Sequence, residues 1–169
     1  NQRPDEYGRS LENRMRLMTE ILVEVSARVG PDFPVGVRYD GEECIKNGHS
    51  LTDSKIIAVR IAQLGAAWSS ISAGGKFEDA IKKPGVPIYP YTGYSGDRCM
   101  PPASYPDGAN LYLAEGIKAP LVASGYASPV VATGKIRTPE LAEAVLQRGQ
   151  ADLVGMARAM LADPDWVVK

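Results

Sequence analysis

The chain has 169 residues, 44% hydrophobic and 23% charged, with a formal net charge of −1. That balance fits one soluble globular domain and argues against a nucleic-acid or acidic-membrane partner, and no apolar run approaches the roughly 18 residues of a membrane span. Cys44 and Cys99 are isolated, His49 is the only histidine and no signal-peptide pattern opens the chain, so the residues argue against a zinc site or disulfide framework and for a reducing cytoplasm.

From Ser10, Leu11, Met15, Met18, Leu22, Val25 and Val29 recur at three- and four-residue steps, the stripe of an amphipathic helix. Ser10 is its expected N-cap, and Gly30-Pro31 stops it. "PVGVRYD" (34–40) is short and apolar on both faces, as a strand of a parallel sheet should be. A second helix is expected to start near Thr52 or Asp53 and to end at Gly65, and "AAWSSISAGG" (66–75) is a strand diluted by serines. The stretch from Gly74 to about Gly108 is rich in Pro, Gly and Tyr, which points to a long binding loop or lid. "ANLYLAEGIKAPLVASG" (109–125) is helical, and Pro120 is expected to kink or divide it, having no N–H for the carbonyl of Gly116. "PVVATG" (129–134) is a strand, and "TPELAEAVLQRG" (138–149) a helix capped by Thr138 with Pro139 in first position. "ADLVGM" (151–156) is the last strand, followed by a short helix at "ARAMLADP".

This alternation specifies a parallel sheet with helical crossovers, open or closed into a barrel. Neither GxGxxG nor a Walker motif marks an open nucleotide-binding sheet. An eight-unit barrel takes about 250 residues, so four strands in this length make a half-barrel, read as a single domain over 1–169. In such barrels a phosphate sits between the ends of the last two strands and the start of a short extra helix. There unpaired helical N–H groups and the dipole favour an anion, and glycine lets the backbone come close. "ATGK" (132–135) closes one strand and "GMAR" (155–158) the next. Either alone reads more readily as a turn glycine or a surface charge, but both at the ends of consecutive strands, in this order, favour the anion site.

These residues also carry a resemblance. "NQRPDEYGRSLENRMR" resembles the N-x-R-x-D-E-Y-G-G-S-x-E-N-R segment of the Old Yellow Enzyme family of FMN-dependent NAD(P)H:flavin oxidoreductases. "FPVGVR" is similar to the strand that follows there, and "PVVATGKIRTPELAEAVLQRGQADLVGMARAMLADPDWVVK" to that family's C-terminal end. The wording "VGMARA…ADPDW" is similar to the branch of 2,4-dienoyl-CoA reductase and trimethylamine dehydrogenase. The resemblance implies the C-terminal half of a TIM (β/α)8 barrel, from the loop after strand four through strand eight, with four parallel strands and flanking helices. It implies FMN as cofactor, NADH or NADPH as reductant, and hydride passed from the flavin to an activated C=C bond of a small enone or enoyl substrate. Arg38 matches the arginine that faces the flavin pyrimidine edge. Ala132, Gly134 and Lys135 match the phosphate turn after the seventh strand, and Ala157 and Arg158 the phosphate-binding helix start after the eighth. Tyr7, Gly8, Asn13 and Arg14 match positions that shape the loop after the fourth strand.

Arg9 replaces the second glycine of G-G-S, which is expected to alter that turn, and Ala157 stands where many members have glycine. The family's substrate-binding His/Asn or His/His pair and its tyrosine proton donor would precede Asn1, so no catalytic residue is expected in this chain. His49 is read as a solvent-facing loop residue, and Cys44 and Cys99 as plain thiols. Tyr89, Tyr91, Tyr94, Tyr105 and Arg98 cluster where a lid over the flavin mouth would sit, either stacking on substrate or anchoring the loop. Two readings stand: a part of an FMN oxidoreductase that needs its missing half-barrel or self-association, or a non-catalytic flavin- or phosphate-binding half-barrel.

Overall fold

The computed structural model describes residues 3–75 and 96–168. Helix α1 (Leu11–Val29) is capped by Ser10, whose hydroxyl accepts from the Asn13 amide, and ends where Gly30 takes φ +86°. Strand β1 (Val37–Asp40) leads through a loop to α2 (Leu51–Gln63). That helix starts earlier than expected because Ser50 is the cap, and Asp53 serves as its box partner. The Asp53 amide donates to Ser50 Oγ at 3.3 Å, and the Ser50 amide donates back to Asp53 Oδ2 at 2.8 Å, so two end amides are satisfied reciprocally.

Strand β2 (Ser69–Ser72) follows, and a short helix α3 (Gly96–Cys99) lies inside the stretch read as irregular. Helix α4 (Leu111–Ala123) runs undivided across Pro120, against the expected break. Proline here falls in the last turn, where one missing N–H is a small loss, and the Ser124 amide still closes on the Pro120 carbonyl at 3.0 Å. Strand β3 (Val130–Thr133), helix α5 (Pro139–Gln147), strand β4 (Leu153–Gly155) and helix α6 (Arg158–Ala162) complete the chain.

The strands form one parallel sheet in the order β1-β2-β3-β4. Alternation sends Ile71, Val130 and Ala132 toward the helices, where they pack with Leu113, Ile117, Leu121 and Val145 in the main core. A second cluster joins α1 to α2 through Met15, Leu22, Ile57 and Ile61. Val25 and Val29, read as part of the buried stripe, are exposed, as are Leu17 and Ile21. Residues of the opposite sheet face lie level with one another: Arg38 pairs with Ser70, Ser70 with Val131, and Val131 with Leu153. Among the described residues no helix packs flat across this face, and Leu153 is 52% exposed. It is the surface that lines the inside of a barrel. Among the described residues, no helix is long and apolar enough to cross a membrane.

Two positions singled out in the sequence can be placed. Arg9 takes the left-handed conformation itself, φ +68°, which a glycine would adopt without steric cost. His49 is half-buried rather than solvent-facing. Its Nε2 lies 2.5 Å from the Ser54 hydroxyl, which also reaches the Gly41 carbonyl at 2.8 Å. Burial holds the His49 pKa below its usual value.

Ile117, on α4, is fully buried in the main core between the sheet and α2. Ile117→Ala is expected to cost about 3 kcal/mol through lost burial and an unfilled cavity; the shift of the urea unfolding midpoint checks it.

Candidate functional site

A cleft of about 830 Å³ opens at the C-terminal ends of the strands. Its walls include Arg38 and Ser70 from the open sheet face, Thr133, Gly134 and Lys135 at the end of β3, and Gly155, Ala157 and Arg158 at the end of β4. Parallel pairing of Thr133 with Gly155 puts those two strand ends side by side. Five of the six sequence-derived positions, Arg38, Gly134, Lys135, Ala157 and Arg158, therefore wall one cavity.

Each fills its place for a local reason. Gly134 has φ +115°, and a Cβ there would lie 2.8 Å from both Cβ and Nδ2 of the buried Asn110, so a side chain is excluded twice over. A Cβ on Gly155 would meet Thr133 Cγ2 at 2.9 Å, and the bare backbone leaves that corner of the cleft open. Ala157 has φ −125°, outside the left-handed region that favours glycine, so its φ does not call for glycine at this position. The first bond within α6 is donated by Leu161 to the Ala157 carbonyl, and the amides before it have no carbonyl of their own helix to bond. Arg158 Nη2 donates to the Pro101 carbonyl at 3.0 Å, and Arg38 Nη1 to Ser70 Oγ at 2.8 Å. Among the described residues, neither guanidinium lies within ion-pair distance of a carboxylate.

Two of the six positions stand apart. Ala132 does not line the cleft; strand alternation turns it to the helix side, where it is fully buried. Lys135 lends its place in the wall but not its charge. Its Nζ donates to the carbonyls of Pro102, Ala103 and Tyr105, which uses all three ammonium hydrogens. Its side chain is 7% exposed and lies 3.9 Å from Asp107. Lys135 also takes φ +58°, so the turn after β3 holds two consecutive residues at positive φ.

Two of the five residues grouped in the long loop can be placed. Arg98 and Tyr105 are buried, and Arg98 lies over the rings of Tyr105 and Tyr112 at 5.8 and 5.9 Å. They anchor the loop. Tyr89, Tyr91 and Tyr94 lie outside the described residues. Cys44 is buried and Cys99 exposed, and neither is in a disulfide; Cys99 borders the cleft. Near the chain start, a Cβ on Gly8 would meet the Arg3 carbonyl oxygen at 2.2 Å. Tyr7 donates to Glu20 at 3.0 Å, and Arg14 reaches Asp53 at 3.7 Å, so these positions shape the α1 entry. Sequence reasoning missed Ser70, Pro101 and Asn110. Each acts on a site residue 24 or more positions away, and no local pattern encodes such a pairing.

Comparison with known proteins then decides the lineage. The family model described as "NADH:flavin oxidoreductase / NADH oxidase family" matches residues 1–84 and 101–169. The chain belongs to this family. It is 34% identical over 169 residues to an NADH oxidase of Thermoanaerobacter brockii, a match that covers 100% of this chain and 23% of that protein. A 2-naphthoyl-CoA reductase structure superposes with TM-score 0.76 at 26% identity, covering 97% of this chain and 22% of that one. An old yellow enzyme homologue from Zymomonas mobilis shares the fold, with TM-score 0.61 at 23% identity over 98% of this chain and 38% of that one. The fold is thus half of a (β/α)8 barrel, and the chain spans about a quarter of the first two proteins.

Because the Lys135 ammonium is spent on three carbonyls, Lys135→Met is expected to lower stability by about 2 kcal/mol. Urea denaturation of the purified protein measures this, and an unmoved midpoint would show the ammonium to be spare.

Proposed function

We propose that this chain holds the phosphate and one ring edge of FMN within an NAD(P)H-dependent oxidoreductase of the ene-reductase type, working in a reducing cytoplasm. The observation that carries the reading is the convergence of Arg38, Gly134, Ala157 and Arg158 on one cleft at the C-terminal ends of parallel strands. The residues present fit the group. A cradle that a Cβ would fill lies at Gly134, the first amides of α6 have no carbonyl of their own helix to bond, and two guanidiniums that, among the described residues, lie outside ion-pair distance of a carboxylate stand on the same wall.

FMN, when bound, supplies a carrier that accepts hydride from reduced nicotinamide and delivers it to an activated C=C bond. The protein's part is positioning and electrostatics. The Gly134–Lys135 turn and the first amides of α6 offer backbone donors to the phosphate, while Arg158 adds a permanent charge with donors beyond the one spent on Pro101. Arg38, steadied by Ser70, places a second permanent charge on the barrel's inner face, where negative charge on the ring system is stabilised. The open face with Leu153 and the exposed strip of α1 need cover, from the other half of a barrel or a second copy.

A binding module without turnover is the second reading, and one observation favours it for this chain by itself. The described residues lining the cleft include no histidine, asparagine or tyrosine to bind a substrate carbonyl or return a proton. Binding of FMN with no NADH oxidation in the presence of an enone would select it.

Fluorescence titration with FMN and with riboflavin, which lacks the phosphate, tests the assignment. Arg158→Ala is expected to weaken FMN about thirtyfold and riboflavin hardly at all, the scale of a lost charge-assisted hydrogen bond. Equal effects on both ligands would remove Arg158 from the phosphate site. Arg38→Ala is expected to weaken both ligands alike and to lower the midpoint potential of the bound flavin; an unchanged potential would place that charge away from the ring.

A further inference from the structure

The proposed phosphate site leaves one structural question: what fixes Arg158, an exposed side chain on a five-residue helix. Its partner is the carbonyl of Pro101, and Pro101 is itself fully buried. The segment from 101 to 105 gives four carbonyls to two cations, one to Arg158 and three to Lys135. Backbone oxygens can hold those cations at fixed points only if the segment is itself fixed.

The fixing point is Arg98, three residues earlier on α3 and 8% exposed. Its Nη2 donates to Tyr112 Oη at 3.3 Å, and Tyr112 Oη donates to Glu42 Oε2 at 2.8 Å. The Arg98 carbonyl accepts from Asn110 Nδ2 at 2.7 Å, and Asn110 is the side chain pressed against Gly134. One buried cluster thus touches the loop after β1, the start of α4 and the wall behind the phosphate turn. A buried guanidinium is costly unless it is fully partnered, so each contact constrains where α3 and the following carbonyls can lie.

We propose that Arg98, Tyr112 and Glu42 form a positioning relay for the phosphate site, acting through the Pro101 carbonyl on Arg158. None of the three lines the cleft; they set the angle at which Arg158 meets the anion. The inference rests on the phosphate assignment above and adds a claim to it: ligand discrimination depends on a hydroxyl that never touches the ligand.

The test is a double-mutant cycle in the holoprotein, using Tyr112→Phe and Arg158→Ala with FMN and riboflavin as probes. Tyr112→Phe keeps the ring over Arg98 and deletes only the hydroxyl. It is expected to weaken FMN about tenfold with riboflavin unchanged, and to have no further effect once Arg158 is alanine, the non-additivity of coupled residues. Glu42→Gln, which keeps the acceptor oxygen and removes the charge, is expected to move FMN in the same direction by a smaller factor. A general loss of packing would weaken both ligands in both backgrounds, and that result would overturn the relay. If Arg158→Ala discriminates between the ligands but Tyr112→Phe and Glu42→Gln do not, the relay fails while the phosphate assignment stands. If Arg158→Ala does not discriminate either, both are wrong.

Discussion

Parallel pairing of β3 with β4 is the constraint on which the rest of the structure depends. With Thr133 level with Gly155, the chain must leave both strands at the same end and at the same height. The Gly134 turn and the start of α6 are brought together by that register. A one-residue slip would carry Gly155 past Thr133 and turn the opposite set of side chains to the cleft. The same alternation that buries Ala132 exposes Thr133 and opens the turn beyond it.

Around this register, charge is distributed by what the backbone can hold. Two cations stand near the turn, and the loop after α3 treats them differently. Lys135, whose compact ammonium takes three donors to three carbonyls, is absorbed into the protein. Arg158 gives one donor to Pro101 and keeps the remainder of a planar fork available. A point charge suits a ring of carbonyls, whereas a fork can be held at one corner and still present another. The inner face shows a similar arrangement, where Ser70 steadies Arg38 without neutralising it.

Conformational cost falls mostly on the turns. Lys135 and Arg9 both accept positive φ without being glycine. Lys135 is held there by the three carbonyls that its side chain reaches. Gly134 has no such latitude, because Asn110 occupies the space where its side chain would be. Ala157 needs none, because its φ is negative.

The order of elements, the caps at Ser10 and Thr138, the half-barrel and most of the cleft could be read from the chain, because period, capping and turn glycines are local properties. Local rules erred where an element's end or a neighbour decided the outcome: Pro120 fell in a last turn that tolerated it, Ser50 took the cap from its neighbours, and His49 found Ser54. They could not see that Lys135 would turn to the loop, that Arg98 would be buried between tyrosines, or that Pro101 would hold Arg158. Those contacts join residues 7 to 57 positions apart, and a side chain's partner over such separations is set by how strands and helices stack. The sequence by itself determined which backbone could form and which turns would end its last two strands. Tertiary packing alone decided which of the nearby charges was left facing the cleft, since that depends on which carbonyls folding brought within reach.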